Sequence, residues 1–318
     1  MAADGKLPVA LVTGFLGSGK TTLISSLLGH PGMGETAVIV NEIGEVGIDH
    51  HLLRRVDERT VLLKSGCVCC TLRGDLADEL RDLLSRRERS EIPAFARVVV
   101  ETTGLADPAP VVYTLLSEPV VKHHYALESI VTTVDAQHGL VREESLKQVA
   151  AADTLVVTKS DLCSAALLEE RLARLNPAAR VLEASFGDVD PDVLFAPPAH
   201  PREVAAPRDD ALHLHDEVRA VTVVLDEPVD WTAFGIWLTM LLQARGSEIF
   251  RVKGLLDVGA AGPLLLNGVQ HVVHPPVHLD AWPDGDRRTR LVFIGLRLER
   301  AELERSLAAF DRAAVRSH

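Results

Sequence analysis

The chain has 318 residues, of which 47% are hydrophobic, and it carries a formal net charge of -12 at pH 7. A chain of this length and apolar content can bury a sizeable core, and we expect it to form two domains. The negative charge argues against a nucleic-acid partner, because basic side chains supply most of the affinity for a phosphate backbone. No apolar stretch approaches the ~20 residues that span a bilayer, and the first residues lack a signal-peptide pattern. The sequence therefore predicts a cytoplasmic protein with no membrane partner.

Apolar, β-branched runs alternate with helical patterns through the first 195 residues. The predicted strands lie near Pro8–Val12, Thr36–Val40, Thr60–Leu63, Arg97–Val100, Ser129–Val134, Thr154–Val157 and Arg180–Glu183. The predicted helices lie at about Lys20–Leu28, Arg73–Leu84, Ala109–Leu116, Glu143–Ala151 and Ala165–Leu175. This alternation is typical of an α/β fold with a mainly parallel sheet and helices on both faces.

The segment between the first strand and the first helix reads GFLGSGKTT, which matches the phosphate-loop pattern G-x-x-x-x-G-K-[ST]. Its glycines let backbone N–H groups converge on a β-phosphate, Lys20 can reach the β and γ oxygens, and the Thr21 hydroxyl can bind Mg²⁺. The predicted nucleotide-binding residues of this loop are Gly14, Gly17, Ser18, Gly19, Lys20, Thr21 and Thr22. The pattern predicts a P-loop NTPase, G-protein-like sheet that binds a nucleoside triphosphate.

Two loops that follow other strands carry carboxylates. Glu42 and Glu45 lie in the sequence NEIGE after the second strand, and Glu101 opens the sequence ETTG after a later one. Glu101 is placed like the acidic residue that holds Mg²⁺ through water, and the N–H of Gly104 can contact a γ-phosphate. Glu42 and Glu45 are candidates for a metal contact or for positioning the attacking water. For each glutamate, a solvated loop carboxylate is the alternative.

Three of the four cysteines fall within GCVCC at residues 66–70, between a predicted strand and a predicted helix. In an extended segment Cys67 and Cys69 lie on one side, and the turn into the helix can bring Cys70 beside them. Three thiolates suit zinc or another thiophilic divalent ion, and they leave a fourth coordination position exchangeable. Three buried, inert cysteines are the alternative.

The strand near Thr154–Val157 is followed by TKSD, which is close to the N-K-x-D element of GTP-binding proteins. The carboxylate of Asp161 can accept hydrogen bonds from guanine N1–H and the exocyclic amine, a donor pair that adenine does not offer. The stem of Lys159 can cover the base. Because Thr158 replaces the usual asparagine, one amide cross-link to the phosphate loop is lost or is replaced by a hydroxyl. The pattern favours GTP, and a surface turn is the alternative.

A proline-rich, polar stretch separates the α/β region from a smaller α+β region. The predicted domains are residues 1–195, a linker at 196–212 and a carboxyl-terminal domain at 213–318. The predicted strands of this last domain lie near Val218–Leu225, Ile249–Leu256, Pro263–Asn267, Gln270–His274 and Arg290–Leu296. Its predicted helices lie at about Trp231–Ala244 and Ala301–Ala313.

The histidines His271, His274 and His278 are close in sequence and could pass a metal onward. On a predicted strand, however, His271 and His274 point to opposite faces, and two prolines bend the chain before His278. Separate surface or packed histidines are therefore favoured, and the predicted metal site does not include them.

Taken in order, GFLGSGKTT, NEIGE, GCVCC, ETTG and TKSD resemble the motifs of the CobW family of metal-handling GTPases, in the group that includes the urease and hydrogenase nickel-insertion GTPases. The second domain is also similar to the CobW carboxyl-terminal domain at RVKGLL from Arg251, at LLLNGVQH from Leu264, and at Trp282-Pro283. The resemblance implies hydrolysis of GTP coupled to delivery of a transition metal, commonly zinc or cobalt, to a client metalloprotein. Family members often carry a histidine-rich tract, and this chain has none of that density, which argues against a storage role.

The resulting hypothesis is a GTPase metallochaperone with Lys20, Thr21 and Glu101 as catalytic residues. GTP and Mg²⁺ are the expected cofactors, and Zn²⁺ or Co²⁺ is the expected ion at Cys67, Cys69 and Cys70, with Glu42 and Glu45 as further candidate ligands. Two alternatives come from other classes: a phosphate-loop kinase of small molecules, and a non-catalytic sensor of metal or nucleotide. The sequence leaves open the native metal, the client, and whether the chain forms a homo-oligomer.

Overall fold

The computed structural model describes residues 5–41, 61–65, 74–140, 142–196 and 218–315. The chain divides into two compact units, one formed by Met1–Arg171 and Ala179–Pro198 and the other by Leu172–Ala178 and Ala199–His318. Within the described ranges, no helix is both long enough and apolar enough to cross a membrane. The linker predicted at 196–212 lies outside these ranges apart from its first residue, so its limits stay a prediction.

The first unit is built on a parallel sheet of seven described strands. They are β1 (Leu7–Gly14), β2 (Thr36–Asn41), β3 (Val61–Ser65), β4 (Arg97–Glu101), β5 (Tyr125–Asp135), β6 (Thr154–Thr158) and β7 (Arg180–Ala184). Across the sheet they follow the order β3-β2-β4-β1-β5-β6-β7, and every neighbouring pair is parallel. The apolar residues of β1, β4 and β6 are buried on both faces, as expected where helices cover both sides of a sheet. The predicted α/β fold class is confirmed.

Helices lie between most consecutive strands of this sheet. They are α1 (Lys20–Leu28), α2 (Gly74–Glu88), α3 (Pro108–Ser117), α4 (Pro119–His124), α5 (Glu143–Ala151), α6 (Ala166–Leu175) and α7 (Pro191–Leu194). The short helices α4 and α7 were not predicted. Each begins with proline after an acidic cap, since Glu118 accepts from the N–H of Val121 and Asp190 from that of Asp192. An acidic residue followed by proline is the local signal that would have found them.

The parallel strands end together at one edge of the sheet, called here the carboxyl edge. Ligands of open α/β sheets bind at such an edge, outside the ends of the strands. In the strand register, Asn41 pairs with Ser65 and Asp135 pairs with Thr158, and the ends of β4 and β5 each lie within two residues of the end of β1. The last residues of the seven strands are Ser65, Asn41, Glu101, Gly14, Asp135, Thr158 and Ala184.

The second unit is an antiparallel sheet with two helices among the residues described. Its elements are β8 (Val218–Leu225), α8 (Trp231–Arg245), β9 (Ile249–Leu256), β10 (Leu264–Val269), β11 (Val272–Val273), β12 (Val277–His278), β13 (Thr289–Leu296) and α9 (Arg300–Val315). The strand order is β11-β10-β9-β13-β8, and β12 pairs with the other end of β10. The predicted α+β architecture of this region is therefore present.

The strand predicted around His271 is shorter than expected. Val269 of β10 pairs with Val272 of β11, so Gln270 and His271 form a two-residue hairpin turn, with Gln270 at a φ of 50°. His274 follows β11 rather than lying within it. The prediction that His271 and His274 point to opposite faces of one strand is therefore wrong. Neither turn residue is the glycine or asparagine that usually marks such a turn, so no local sequence pattern indicates it.

The core of the second unit contains Trp237 of α8, which is 2% exposed. Its ring packs edge-on against Phe293 of β13, with 6.0 Å between ring centroids. The indole N–H donates to the Ser306 hydroxyl at 3.0 Å. A large aromatic group is thus buried with its one polar atom satisfied, the usual condition for placing tryptophan in a core.

Three cations are buried within strands of the second unit. Arg251 and Lys253 lie on β9 and Arg290 lies on β13, and none is more than 3% exposed. The guanidinium of Arg290 donates to both carboxylate oxygens of Asp284, at 2.8 and 2.9 Å. This bidentate ion pair compensates the burial of the Arg290 charge, as a charge in such a position requires.

Candidate functional site

The phosphate loop predicted from the sequence joins β1 to α1. Gly14 ends β1 with a φ of 143°, and a Cβ there would lie 2.3 Å from Thr133 Oγ1. Gly19 caps α1 with a φ of 89°, a left-handed conformation that favours glycine. The Ser18 hydroxyl lies 2.6 Å from that of Thr133. The loop, which also contains Gly17, is thereby tied to β5 and presents the first N–H groups of α1, where anions bind.

Lys20 is the first residue of α1 and is only 8% exposed. Its Nζ donates to the carbonyl oxygens of Gly14 at 2.9 Å and Phe15 at 3.1 Å. Burial lowers the pKa of Lys20, and the nearby carboxylate of Glu101 partly offsets this effect. The ammonium group is therefore held inside the phosphate loop, where an anionic ligand would stabilise its charge.

Thr21 and Glu101 meet at the carboxyl edge. The Thr21 hydroxyl donates to Glu101 Oε1 at 2.9 Å, and Glu101 is 4% exposed. The sequence places these residues 80 positions apart, and the pairing of β1 with β4 brings them together. A hydroxyl and a carboxylate are oxygen donors of the kind that Mg²⁺ prefers, so this pair fits the predicted magnesium position.

The loop after β4 lies directly on the phosphate loop. A Cβ at Gly104 would be 2.6 Å from the main-chain N of Leu16, so only glycine allows this approach. The Thr102 hydroxyl donates to that of Thr13 on β1 at 2.8 Å, and the Thr102 N–H donates to the Val12 carbonyl at 3.0 Å. The predicted γ-phosphate contact, Gly104, is therefore placed beside the loop that would hold the β-phosphate.

The TKSD segment begins at the end of β6. The Thr158 hydroxyl donates to the Ser18 carbonyl at 2.7 Å, so a hydroxyl cross-link to the phosphate loop replaces the usual amide. Lys159 has a φ of 59°, and its ammonium group donates to Asp135 at 2.6 Å. Asp161 follows in an exposed turn, where its carboxylate is accessible to a nucleobase.

Sequence reasoning missed Asp135, the last residue of β5. Its carboxylate accepts from Lys159 and from the Gln137 N–H, and lies 2.8 Å from Nδ1 of His138. Burial by itself raises the pKa of Asp135, but the hydrogen bonds from Lys159 and His138 outweigh that effect and leave the pKa below its ordinary value. The available signal was an acidic residue ending a strand at the carboxyl edge. Asp135 also lines a cavity of about 270 Å³ beside Leu16.

The loop after β7 was also missed. A Cβ at Gly187 would lie 2.7 Å from the carbonyl oxygen of Thr22, so this loop sits against the start of α1. The hydroxyls of Ser185 and Ser160 are 3.4 Å apart, which joins it to the TKSD segment. Phe186, which lies between Ser185 and Gly187, is 79% exposed and has a φ of 54°. An exposed aromatic ring beside the predicted base position can stack on a nucleobase.

The predicted metal ligands Cys67, Cys69, Cys70, Glu42 and Glu45 lie outside the described residues. The strands that precede them are described: β2 ends at Asn41 and β3 ends at Ser65, and these two residues pair at the carboxyl edge. Among the residues with described positions, no group of three or more histidine, cysteine, aspartate or glutamate side chains could hold a metal ion. The metal site therefore stays a prediction, placed by chain position alone.

Family models match both units. The model of the CobW/HypB/UreG nucleotide-binding domain matches residues 8–183, and that of the cobalamin synthesis protein cobW C-terminal domain matches residues 218–311. The zinc chaperone YjiA of Escherichia coli strain K12 is 34% identical over 313 residues, which cover 95% of this chain and 98% of that protein. The zinc chaperone CobW of a Sinorhizobium species is 29% identical over 345 residues, which cover 93% and 94% of the two chains.

Solved structures agree with this relationship. The crystal structure of Zn(II)-bound YjiA GTPase from E. coli aligns with a TM-score of 0.74 and 30% identity, over 96% of this chain and 99% of that one. A triple mutant of the same GTPase, with one glutamate and two cysteines changed to alanine, is also Zn(II)-bound and aligns with the same score. The first family model alone spans more than half of the sequence. The resemblance noted in the motifs is thus confirmed, and the chain belongs to the CobW/HypB/UreG family.

Proposed function

We propose that the protein is a GTP-hydrolysing zinc metallochaperone, in which the nucleotide controls metal held by Cys67, Cys69 and Cys70. The observation that carries this proposal is the carboxyl edge of the parallel sheet. The contact between Thr21 and Glu101 lies at that edge, and the segment with the three cysteines leaves β3 at the same edge. Only β2 separates β3 from β4, so the nucleotide loops and the metal segment start a short distance apart.

The described residues support the hydrolysis of GTP to GDP and phosphate. Lys20 is positioned to stabilise negative charge on the β and γ oxygens, and the N–H groups of the phosphate loop add to that effect. Mg²⁺ would be held by the Thr21 hydroxyl and, through water, by Glu101, and would neutralise charge that develops on the phosphates. Asp161 would select guanine, while Lys159 and Phe186 would cover the base.

The chemistry of three thiolates supports zinc as the carried ion. Sulfur ligands suit zinc, and three protein ligands leave a coordination position through which the ion can be handed to a client. The names of the relatives, zinc chaperones and a Zn(II)-bound GTPase, favour zinc over cobalt. The client, delivery to it, and a cytoplasmic location without nucleic-acid or membrane partners remain proposals.

The decisive experiment measures zinc and cobalt affinity of the full chain with GDP and with a non-hydrolysable GTP analogue. We expect the two nucleotides to give affinities that differ by about 5- to 150-fold, the usual range of coupling between sites. Replacing Cys67, Cys69 and Cys70 with serine should remove that difference. The matched control is Cys163→Ser, because Cys163 is a free thiol outside the metal segment.

Zinc in the triple mutant of YjiA is a reason to titrate all bound zinc rather than to score binding as present or absent. Zinc affinity that does not depend on nucleotide in the unmodified protein would contradict the proposal, since a ligand shifts an equilibrium only through differential binding. Phosphate appearing on an acceptor molecule instead of in water would indicate a kinase. Binding of GTP without any turnover would indicate a sensor.

A further inference from the structure

Gln148 connects the helix after β5 to the loop after β4. It lies on α5 and is 0% exposed. Its Nε2 donates to the carbonyl oxygens of Gly104 at 3.2 Å and Ala106 at 3.0 Å. Because both acceptors are carbonyl groups, the amide must present its nitrogen to them, and the orientation of the side chain is fixed.

The helix that carries Gln148 is itself anchored to the sheet. The main-chain carbonyl of Gln148 accepts from the Thr132 hydroxyl on β5 at 2.9 Å. The other partner is anchored as well, because Gly104 lies against the main chain of Leu16 in the phosphate loop. Gln148 thus sets the distance between β5 and the loop that contains Gly104, the predicted γ-phosphate contact.

Burying the amide of Gln148 costs free energy. Its Oε1 is buried and has no hydrogen-bond partner among the residues described. An unsatisfied buried acceptor destabilises a fold, and a methionine of similar length would avoid that penalty. The gain that offsets it is the pair of hydrogen bonds to Gly104 and Ala106.

We propose that Gln148 is a positioning residue for the γ-phosphate: it holds Gly104 in place and so gives the protein its preference for GTP over GDP. This inference rests on the proposed function and names the element that reads the nucleotide state. GDP lacks the γ-phosphate and leaves the Gly104 N–H without its ligand. The effect of Gln148 should therefore be confined to the triphosphate.

The test compares the affinities of Gln148→Met and unmodified full-length protein for GDP and for a non-hydrolysable GTP analogue, both with Mg²⁺. We expect affinity for the analogue to fall about tenfold, as the loss of two positioning hydrogen bonds implies, while affinity for GDP stays near the original value. The matched control is Gln137→Met, an exposed glutamine in the connection between β5 and α5. It should change neither affinity.

Equal losses for both nucleotides, or no loss for either, would overturn the inference. If Gln148→Met does not fold, Gln148→Glu keeps the shape of the side chain and turns the donor into a carboxylate facing two carbonyl groups. Its preference for the GTP analogue should be lost and should partly return, relative to the unmodified protein, as the pH is lowered and the buried carboxyl gains a donating proton. A Glu variant with unchanged preference at every pH would also overturn the inference. Turnover and zinc binding by the unmodified protein test the proposed function separately.

Discussion

The two sheets bury charged side chains in different places. The first sheet buries them mainly at its carboxyl edge, at Lys20, Glu101 and Asp135. The second sheet buries them inside its strands, at Arg251, Lys253 and Arg290. Asp153, at the opposite edge of the first sheet, accepts from the Ile130 N–H at 3.1 Å and has a local structural role.

The partners of these charges explain the difference. Arg290 has a fixed carboxylate, Asp284, that accepts two hydrogen bonds from it. Lys20 has two main-chain carbonyl groups and the field of Glu101, and it sits in the loop that is predicted to bind a phosphate. We infer that the charge of Arg290 serves the fold of its own unit, whereas the charge of Lys20 serves a ligand. Each of the following predictions tests that distinction.

The largest expected effect separates activity from stability. Lys20→Met should lower GTP turnover by at least about 100-fold, because it removes a cation from the developing phosphate charge. Arg290→Met should leave turnover close to the original value. Phosphate release measures the first effect, and circular dichroism checks that both variants fold. Comparable losses of turnover in the two variants would remove the distinction between edge and strand charges.

Asp161 is the proposed case of a charge at the carboxyl edge that serves a ligand without being buried. Asp161→Asn should weaken GTP by about 100-fold or more and favour xanthosine triphosphate, because an amide can donate to the extra carbonyl but cannot accept both guanine donors. Competition between the two nucleotides measures the preference. An unchanged preference would place Asp161 outside the base pocket.

In the second unit, the loss of stability should depend on which partner of the Arg290–Asp284 ion pair is removed. Asp284→Asn should lower the free energy of unfolding by about 2 kcal/mol. It removes the carboxylate that accepts two hydrogen bonds from the buried Arg290 and leaves, among the residues described, only the more distant carboxylate of Asp286, at 3.9 Å. Arg290→Met should cost less, since Asp284 can be solvated when its partner is gone. Denaturant unfolding of both variants gives the order, with Asp280→Asn at an exposed position as control. The reverse order would show that Arg290 is not held mainly by this pair.

The smallest expected effect is a dependence of the free energy of unfolding on pH in the acid range. The hydrogen bond from the Arg288 side chain lowers the pKa of Asp286 from its ordinary value of 3.8 to about 2, with smaller contributions from the main-chain N–H of Arg288 and from the charge of Arg290. The folded state therefore binds fewer protons than the unfolded state in this range, so the stabilisation is present above about pH 4 and is lost as the pH falls to about 2. Acid titrations of the unmodified protein and Asp286→Asn measure it. Identical acid profiles would contradict the assignment.

Local chemistry explains what could be predicted from the sequence. The phosphate loop needs glycine where the main chain is left-handed or crowded, so Gly14 and Gly19 can be recognised in the sequence. Buried parallel strands need continuous apolar runs, which the sequence also displays. Even the departure at Thr158 was interpretable, because a hydroxyl can replace one hydrogen bond of an amide.

Contacts between distant segments explain what could not be predicted. Gln148 and Gly104 are 44 residues apart, and nothing near either one indicates the other. Asp135 gains its role only when β6 pairs with β5 and brings Lys159 to it. Gln270 and His271 form a hairpin turn without the glycine or asparagine usual there, so the spacing of the histidines wrongly indicated a continuous strand. These features follow from the register of strands, which a short pattern does not encode.

The packing of Trp237 has a practical consequence. All three tryptophans of the chain, Trp231, Trp237 and Trp282, belong to the second unit, whereas the nucleotide residues belong to the first. Intrinsic tryptophan fluorescence therefore arises from residues of the second unit alone. Because the indole of Trp237 is buried against Phe293, opening of this core should shift its emission to longer wavelength, so unfolding of the second unit can be followed optically without any label.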